Sequence, residues 1–244
     1  FRFARACLYI GEENRKFYEY YGVPKEKLVF TPYAVENRRL MAARESLVVR
    51  RESIRREIGI SRDAVTILFV GKLMPKKRPM DLLVAFARVI EHRTSNNEQI
   101  FLLFVGDGEL RGELEAYAHD RGLSDRVRFV GFKNQTELPS CYMAADMFVL
   151  PSGAGETWGL VVNEAMVFGL PVVVSDMVGC APDLVRDGEN GFQFSLGDVD
   201  ALSDRLMRLA GDPDLRERFG KASASIIANY SHEKDVDGIM RALS

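Results

Sequence analysis

Residues 65–93 read VTILFVGKLMPKKRPMDLLVAFARVIEHR and contain the pattern that decides the fold. The run 65–71 is almost entirely apolar and ends in glycine, which is typical of a strand buried on both faces of a parallel sheet. Residues 79–93 then carry apolar side chains at helical spacing. A buried strand followed by an amphipathic helix predicts one strand–helix unit of an α/β protein.

The same alternation continues along the chain. Further strands are predicted at 99–108, 127–132, 146–152 and 171–176. Helices are predicted between them at 109–122, at 136–145 with a break near Pro139, and at 159–169. Repeated units of this kind predict a doubly wound, Rossmann-like parallel sheet of five strands.

The two ends of the chain differ from this middle part. Before it, the sequence predicts a strand at 6–11, a short helix at 14–24 and an extended segment at 27–35. After it, three helices are predicted, and Asp198 and Ser231 are suitable N-caps because their side-chain oxygens can accept from free helix amides. The fold class is therefore α/β with a helical C-terminal tail.

Composition narrows the class of protein. The chain has 244 residues, 47% of them apolar, and a net charge of −2. This balance argues against a dedicated nucleic-acid binder. Three widely spaced cysteines indicate a reducing compartment without a disulfide framework, so we expect a cytoplasmic protein. The sequence contains no run of about 18 apolar residues, so no membrane span is predicted.

The segment RRESIRREIG, residues 50–59, is the most charged part of the chain. Four arginines there leave two interpretations open, a nucleic-acid patch or a solvated helix face. Because Glu52 and Glu57 lie between the arginines, the pattern favours a solvated helix face.

Ligands of open parallel sheets bind outside the carboxyl ends of the strands, so the loops after the strands are the candidate site. They read GKLMPKKRP, GDGEL, GFKNQ and PSGAGETWG. Their glycines allow close approach to the backbone. Lys72, Lys76, Lys77 and Arg78 offer positive charge to phosphate groups. These loops predict a phosphorylated ligand.

The stretch GETWGLVVNEAM, residues 155–166, places two acids around a helix start. Thr157 is predicted to cap a helix that begins near Trp158, which leaves the first amides free for a diphosphate. Glu156 and Glu164 would lie on either side and accept hydrogen bonds from hydroxyl groups. A nucleotide sugar matches this order of groups. Alternatively, Glu156 stabilises the helix dipole and Glu164 is a surface acid.

The second half of the chain resembles the E-x7-E signature of the retaining GT-B glycosyltransferases of the family 4, group 1 type. The matching residues are GETWGLVVNEAM followed by VFGLPVVVSDMVG. FVGKLMPKKRPMDLLVAF is similar to the first strand, loop and helix of that family's donor domain, with Lys72 where arginine is common and Arg78 where glycine is frequent. Four further pieces match in order, FVGDGELRGELE, VRFVGF, AADMFVLPS and LVRDGENGFQF. The likeness covers residues 25–244, and the ordered set is far more specific than any one piece.

The resemblance implies a nucleotide-sugar site with three catalytic residues, Lys72, Lys77 and Glu156. The two lysines would bind the donor diphosphate and offset charge on the leaving nucleotide. Glu156 would bind hydroxyls of the transferred sugar, and Glu164 would hold the ribose hydroxyls. No metal or cofactor is implied, because lysines and a helix terminus can replace Mg²⁺ at a diphosphate. The nucleotide sugar is then a substrate.

The resemblance also implies backbone contacts to the donor. The amides at the helix start would contact phosphate or sugar, and the backbone after the third strand would meet the base. The predicted binding residues beyond the four above are Gly71, Gly106, Phe132, Lys133, Thr157, Trp158, Gly159, Leu160 and Val161.

The resemblance divides the chain into three parts. Residues 1–35 would be a remnant of the N-terminal acceptor domain with its linker, 36–229 the donor-binding domain, and 230–244 a helix that crosses back toward the acceptor domain. We therefore expect the chain alone to bind a donor without transferring its sugar. The intact protein is expected to move a hexosyl group to a glycan, glycolipid or other acceptor, with a peripheral membrane contact as an option.

Three other functions stay open at this point. A nicotinamide-binding fingerprint is disfavoured, because Gly106, Gly108 and Gly112 are spaced one residue too widely and do not follow the first strand. A GT-B sugar-nucleotide epimerase or phosphorylase is the second alternative. A non-catalytic nucleotide-binding module is the third, and turnover by the intact protein distinguishes it from a transferase.

Overall fold

The computed structural model describes residue 1 and residues 3–92 and 99–244. Its main sheet has six parallel strands in the order β5-β4-β3-β6-β7-β8. These strands are β3 (Val65–Val70), β4 (Ile100–Val105), β5 (Val127–Phe129), β6 (Met147–Leu150), β7 (Val172–Ser175) and β8 (Gly191–Phe194). A separate parallel pair is formed by β1 (Cys7–Tyr9) and β2 (Leu28–Phe30). The predicted doubly wound sheet is confirmed.

Helices connect and cover these strands. The first six are α1 (Glu12–Tyr20), α2 (Asn37–Leu47), α3 (Arg51–Glu57), α4 (Pro79–His92), α5 (Arg111–Asp120) and α6 (Leu138–Ala144). The others are α7 (Leu160–Val167), α8 (Ala181–Leu184), α9 (Val199–Gly211), α10 (Pro213–Ile227) and α11 (His232–Leu243). The last residue of the helix predicted at 79–93 lies outside the described residues.

The two longest strands, β3 and β4, are neighbours inside the sheet, and their residues are all buried. They pair in register from Val65 opposite Ile100 to Val70 opposite Val105. Helices on both faces remove these strands from water, which explains why their sequences are continuous apolar runs rather than alternating patterns.

The strand order places a crevice at one position. From β3 the chain runs outward through β4 and β5, then returns to β6 on the other side of β3. The loops after β3 and β6 therefore leave the sheet in opposite directions, and a crevice opens between them at the carboxyl edge. These loops are 71–78 and 151–159, which include the lysines and the first glutamate of the predicted site.

Some elements differ from the sequence predictions. The sheet has a sixth strand, β8, which the sequence did not predict. Pro139 does not break a helix, because it lies in the first turn of α6, where its missing amide hydrogen costs nothing. The predicted N-caps Asp198 and Ser231 are confirmed, since their side chains accept from Ala201 and Lys234 amides.

The segment 50–59 is not simply a solvated face, and this prediction was wrong for two of its arginines. Arg55 is 2% exposed and donates to Asp146 at 2.5 Å and to the carbonyls of Ala144 and Ala64. Arg51 contacts the other oxygen of Asp146 at 2.7 Å. Burial lowers the pKa of Arg55, while the charge of Asp146 raises it. The network joins α3 to the start of β6.

The C-terminal helix packs on the small sheet rather than on the main one. Gly238 of α11 lies so close to the carbonyl of Phe30 that a Cβ atom there would overlap it. The other side of α11 leaves Val236, Met240 and Leu243 exposed. Within the described parts of the chain, no helix is both long and apolar enough to cross a membrane.

Candidate functional site

The loop after β3 lies on one side of the crevice. It turns through a short 3₁₀ helix at Pro75–Lys77 and then through Arg78, which has a left-handed backbone with φ 49°. A non-glycine residue rarely adopts this conformation, and the ion pair of Arg78 with Asp81 at 2.6 Å helps to hold it. The turn directs three successive basic residues toward the crevice edge.

Glycines let this loop approach the next one closely. A Cβ atom on Gly106 would overlap the carbonyl oxygen of Gly71, and one on Gly108 would overlap that of Leu73. Gly106 also has a φ of 132°, which favours glycine. The loops after β3 and β4 are thus packed backbone to backbone.

A cavity of about 300 Å³ opens beside these glycines. It is lined by Val70, Gly71, Lys72, Val105, Gly106, Asp107, Phe132, Lys133 and Leu138. The structure therefore brings together five of the predicted binding residues, from the loops after β3, β4 and β5. Leu138 adds the first turn of α6, which the sequence did not predict as part of the site.

Lys77 and Glu156 form an ion pair across the crevice. Their side chains are only 18% and 12% exposed, so the pair is partly shielded from water. Lys72, in contrast, is exposed and has no carboxylate within 4 Å among the described residues. The predicted phosphate ligand Lys77 and the predicted sugar ligand Glu156 thus contact each other directly.

The loop that carries Glu156 is held by backbone hydrogen bonds. The amide of Gly179 donates to the Glu156 carbonyl at 2.9 Å, and the amide of Cys180 donates to the Trp158 carbonyl at 3.0 Å. A Cβ atom on Gly179 would overlap the Thr157 carbonyl. The loop after β7 therefore fixes the position of the loop after β6.

The predicted cap of α7 was wrong. The helix begins at Leu160, and its N-cap is Gly159, with φ 92° and no side chain to accept from the first amides. Thr157 is exposed and lies two residues before the N-cap. The first-turn amides of α7 therefore have no side-chain cap, and such amides form the positive end of the helix dipole. Val161 is half-buried in this turn.

Trp158 has a structural position. Its indole is 3% exposed and donates to the fully buried side chain of Asn163 at 2.9 Å. Asn163 in turn donates to the carbonyl of Tyr33 at 3.1 Å. The indole N–H of Trp158 is therefore already paired within the fold. The sequence analysis missed Asn163, whose only signal is a polar residue on the apolar face of a helix.

Glu164 lies in the second turn of α7 and has a partner that the sequence analysis missed. The hydroxyl of Tyr142, on α6, donates to its Oε2 atom at 2.6 Å. Burial raises the pKa of Glu164, whereas the hydrogen bond from Tyr142 and the charge of Arg39 lower it. Because Glu164 is half-buried and hydrogen-bonded, it is not the simple surface acid of the alternative interpretation.

Asp183 lies between the N-terminal segment and the loop that carries Glu156. Both of its carboxylate oxygens accept from the Glu12 amide, at 3.0 and 3.1 Å, at the start of α1. A Cβ atom on Gly11 would crowd both Asp183 and the Trp158 ring. Asp183 therefore attaches the N-terminal segment to the loop that carries Glu156.

Asp183 gives a stability prediction with a defined sign. Burial raises the pKa of its carboxyl to about 6, from an ordinary value of 3.8. A raised folded-state pKa means that the favourable contribution is complete below 3.8 and is lost as the pH rises through about 6. Asp183→Asn removes this loss. The free energy of unfolding of the variant minus that of the wild type should therefore increase between about pH 4.5 and about pH 7.5.

Chemical denaturation at several pH values measures this difference. The exposed Asp125→Asn is the matched control for the loss of a surface carboxylate, and the pH-dependent change of Asp183→Asn is read against it. A difference for Asp183→Asn that decreases as the pH rises would contradict the assignment.

In the part of the chain that the structure describes, no group of three or more His, Cys, Asp or Glu side chains is placed to hold an ion. The positive groups of the crevice are instead lysines and the start of α7.

The fold and the crevice define a class of protein, a Rossmann-like α/β domain with a crevice at the switch point of its parallel sheet. Residues 50–225 match the family model described as "Glycosyl transferases group 1". The chain belongs to this family.

Relatives and solved structures agree with this family. The chain is 32% identical over 235 residues to a D-inositol 3-phosphate glycosyltransferase of Thermomonospora curvata, covering 94% of this chain and 54% of the relative. It is 32% identical over 185 residues to an Escherichia coli UDP-Gal:alpha-D-GlcNAc-diphosphoundecaprenol alpha-1,3-galactosyltransferase, covering 75% and 46%. The chain thus spans about half the length of these curated relatives.

Among solved structures, HepE of Anabaena in complex with UDP has a TM-score of 0.82 at 22% identity, covering 99% of this chain and 64% of that one. WaaG, a glycosyltransferase involved in lipopolysaccharide biosynthesis, has a TM-score of 0.75 at 21% identity, covering 96% and 61%. These similarities show that the chain has the Rossmann-like α/β fold of GT-B proteins.

Proposed function

We propose that the chain is the donor-binding part of a retaining glycosyltransferase that uses a nucleoside diphosphate sugar. The observation that carries this proposal is the arrangement at the carboxyl edge of the sheet, where Lys72 lines the 300 Å³ cavity and Lys77 pairs with Glu156 across the crevice between β3 and β6. UDP in the structure of the similar protein HepE supports a nucleoside diphosphate as the ligand class.

Each part of the donor has a matching group in this site. The base enters the cavity beside the backbone of Phe132 and Lys133. Glu164 accepts hydrogen bonds from the ribose hydroxyls, since an ionised carboxylate is purely an acceptor. Lys72 and the uncapped amides of α7 bind the diphosphate.

The ion pair of Lys77 with Glu156 is proposed to open when the donor binds, and both residues then act in catalysis. When a diphosphate binds, Lys77 exchanges the carboxylate for phosphate oxygens, and Glu156 becomes free to accept from sugar hydroxyls. An acceptor hydroxyl then bonds to the anomeric carbon, the bond between that carbon and the diphosphate breaks, and the proton of the hydroxyl passes to the leaving diphosphate. While this bond breaks, negative charge grows on the leaving phosphate. Fixed positive charges at that position stabilise the transition state more than the ground state.

The parts of the chain are assigned in the same proposal. Residues 36–229 form the donor-binding domain, while residues 1–35 and 230–244 connect it to an acceptor-binding domain. The relatives' names include an inositol phosphate and a diphosphoundecaprenol-linked sugar, so a phosphorylated polyol or a lipid-linked glycan is the proposed acceptor class. A lipid-linked acceptor would bring a cytoplasmic enzyme to the membrane surface.

Calorimetric titration with UDP, GDP and ADP, and with their sugar derivatives, tests the proposal. One nucleoside diphosphate is expected to bind in the presence of a chelator, and added Mg²⁺ or Mn²⁺ should not change its affinity, because lysines and a helix terminus supply the positive charge. Affinity that disappears in chelator and returns with metal would contradict the metal-free site.

A lysine variant makes the test specific. Lys72→Ala should weaken the diphosphate about tenfold or more, because it removes a charged hydrogen bond. Lys221→Ala is the matched control, since this lysine is 74% exposed and pairs with Glu217 on α10. Equal effects of the two variants would show that the binding is non-specific charge attraction.

A further inference from the structure

We propose that Tyr142 is a positioning residue for the donor, because its hydroxyl holds one oxygen of Glu164 and leaves the other directed to the ribose hydroxyls. This inference rests on the proposed function, in which Glu164 binds the ribose. It assigns a role in recognition to a residue that lies in the core and does not itself contact the ligand.

The ring of Tyr142 is held rigidly. It is 1% exposed, stacks on Phe168 with 5.4 Å between ring centroids, and lies 6.3 Å from the ring of Phe148. A phenol fixed in this way can direct its hydroxyl to few acceptors. It has two, Oε2 of Glu164 at 2.6 Å and the carbonyl of Val161 at 3.5 Å. The shorter distance is typical of a hydrogen bond to a charged oxygen, so Glu164 is the main acceptor.

The helix that carries Tyr142 also borders the cavity. Leu138 lines the cavity and precedes Tyr142 by four residues on α6, so the two side chains lie on the same helix face. Lys133, also in the cavity lining, pairs with Glu137 of the same region at 3.6 Å. A single short helix therefore supports both the base cavity and the carboxylate.

The charge of Glu164 depends on the same hydrogen bond. Burial raises its pKa, and the two groups that oppose this are the Tyr142 hydroxyl from α6 and Arg39 from α2. The strands β6 and β7 beside α7 contain no charged residue, and the buried face of α10 contains none either. Removal of the Tyr142 hydroxyl therefore favours the protonated form of Glu164, which has lost part of its acceptor capacity.

The test is a titration of the 244-residue chain with UDP, GDP and ADP, followed by use of the tightest binder and its 2′-deoxy analogue. Tyr142→Phe is expected to weaken the ribonucleotide about five- to tenfold at neutral pH. The loss should grow as the pH falls, and discrimination against the 2′-deoxy analogue should shrink. Tyr117→Phe is the matched control, because this half-buried tyrosine lies on α5 beside Arg121.

The outcomes separate this inference from the proposed function. If no nucleoside diphosphate binds, or if Glu164→Gln changes nothing, the proposed site is wrong and this role falls with it. If Glu164→Gln weakens binding but Tyr142→Phe leaves the affinity, pH profile and discrimination unchanged, only the positioning role is overturned. In the Glu164→Gln background, Tyr142→Phe should have little further effect.

The wild-type chain provides a test that does not depend on the variant folding. Its preference for the ribonucleotide over the 2′-deoxy analogue should decrease as the pH is lowered and Glu164 takes up a proton. A preference that is constant over the range in which the protein stays folded would overturn the role of an ionised, oriented Glu164.

Discussion

Replacing Asp146 with alanine is expected to lower the free energy of unfolding by about 3–5 kcal/mol. Arg55 is 2% exposed, so the variant leaves a buried guanidinium without its counter-charge. It also removes the acceptor of the Thr66 amide, which donates to Asp146 at 2.7 Å at the start of β3. An effect of this size is expected only where a buried charge loses its partner.

Urea denaturation measures the change. Asp63→Ala is the control, because Asp63 is 96% exposed and its ion pair with Arg62 is long, at 4.0 Å. Adding Arg55→Met to Asp146→Ala should recover part of the stability, because it removes the uncompensated charge. A loss below about 1 kcal/mol for Asp146→Ala would show that water compensates for the lost ion pair with Arg55. Backbone carbonyls alone would then hold Arg55.

This network shows where sequence reasoning fails. The arginines at 50–59 alternate with acids, which predicts a solvated helix, and Arg50 and Arg56 are indeed exposed. The partner that draws Arg55 inward lies 91 residues further along the chain. Local charge patterns contain no information about such a partner, so the error follows from tertiary structure rather than from propensity.

Most strands and helices of the fold are specified by short local sequence patterns, and this explains why they could be predicted. The runs VTILFV and IFLLFV have no polar face, so both must be buried between helices. β8 was missed because its four residues, GFQF, begin with glycine and include a half-exposed glutamine, which is too short a pattern to identify.

The sequence predicted which residues lie at the site but not which of their side chains contact each other. Lysines and acids after successive strands meet at one edge by topology alone. Lys77 with Glu156, and Tyr142 with Glu164, are contacts over 79 and 22 residues, which no spacing rule specifies. The same holds for Thr157, a good cap by composition, because Gly159 and the loop at Gly179 set the helix start instead.

The two glutamates of the site are expected to differ in what they recognise. Glu164→Gln should weaken a free nucleoside diphosphate and its nucleotide sugar alike, each by about ten- to a hundredfold, because a charged hydrogen bond to the ribose contributes about 1.5–3 kcal/mol. The amide oxygen of glutamine can still accept from Tyr142, so the fold should be retained. A melting temperature equal to that of the wild type checks this.

Glu156→Gln should weaken the nucleotide sugar to a similar degree without weakening the free diphosphate. The ion pair with Lys77 sharpens this expectation, because the variant frees the lysine from a carboxylate that competes with phosphate oxygens. Affinity for the free diphosphate should therefore stay equal or rise. Calorimetry with both ligands on both variants gives the four values required.

The pattern of these four values decides between the interpretations. If Glu156→Gln weakens both ligands equally, the acid acts by fixing Lys77 in place, and a separate sugar contact is excluded. If Glu164→Gln weakens only the nucleotide sugar, the direction assigned to the donor in the crevice is reversed. Among the described side chains, Glu156 pairs with Lys77 and Glu164 accepts from Tyr142, so a deviation can be traced to a defined contact.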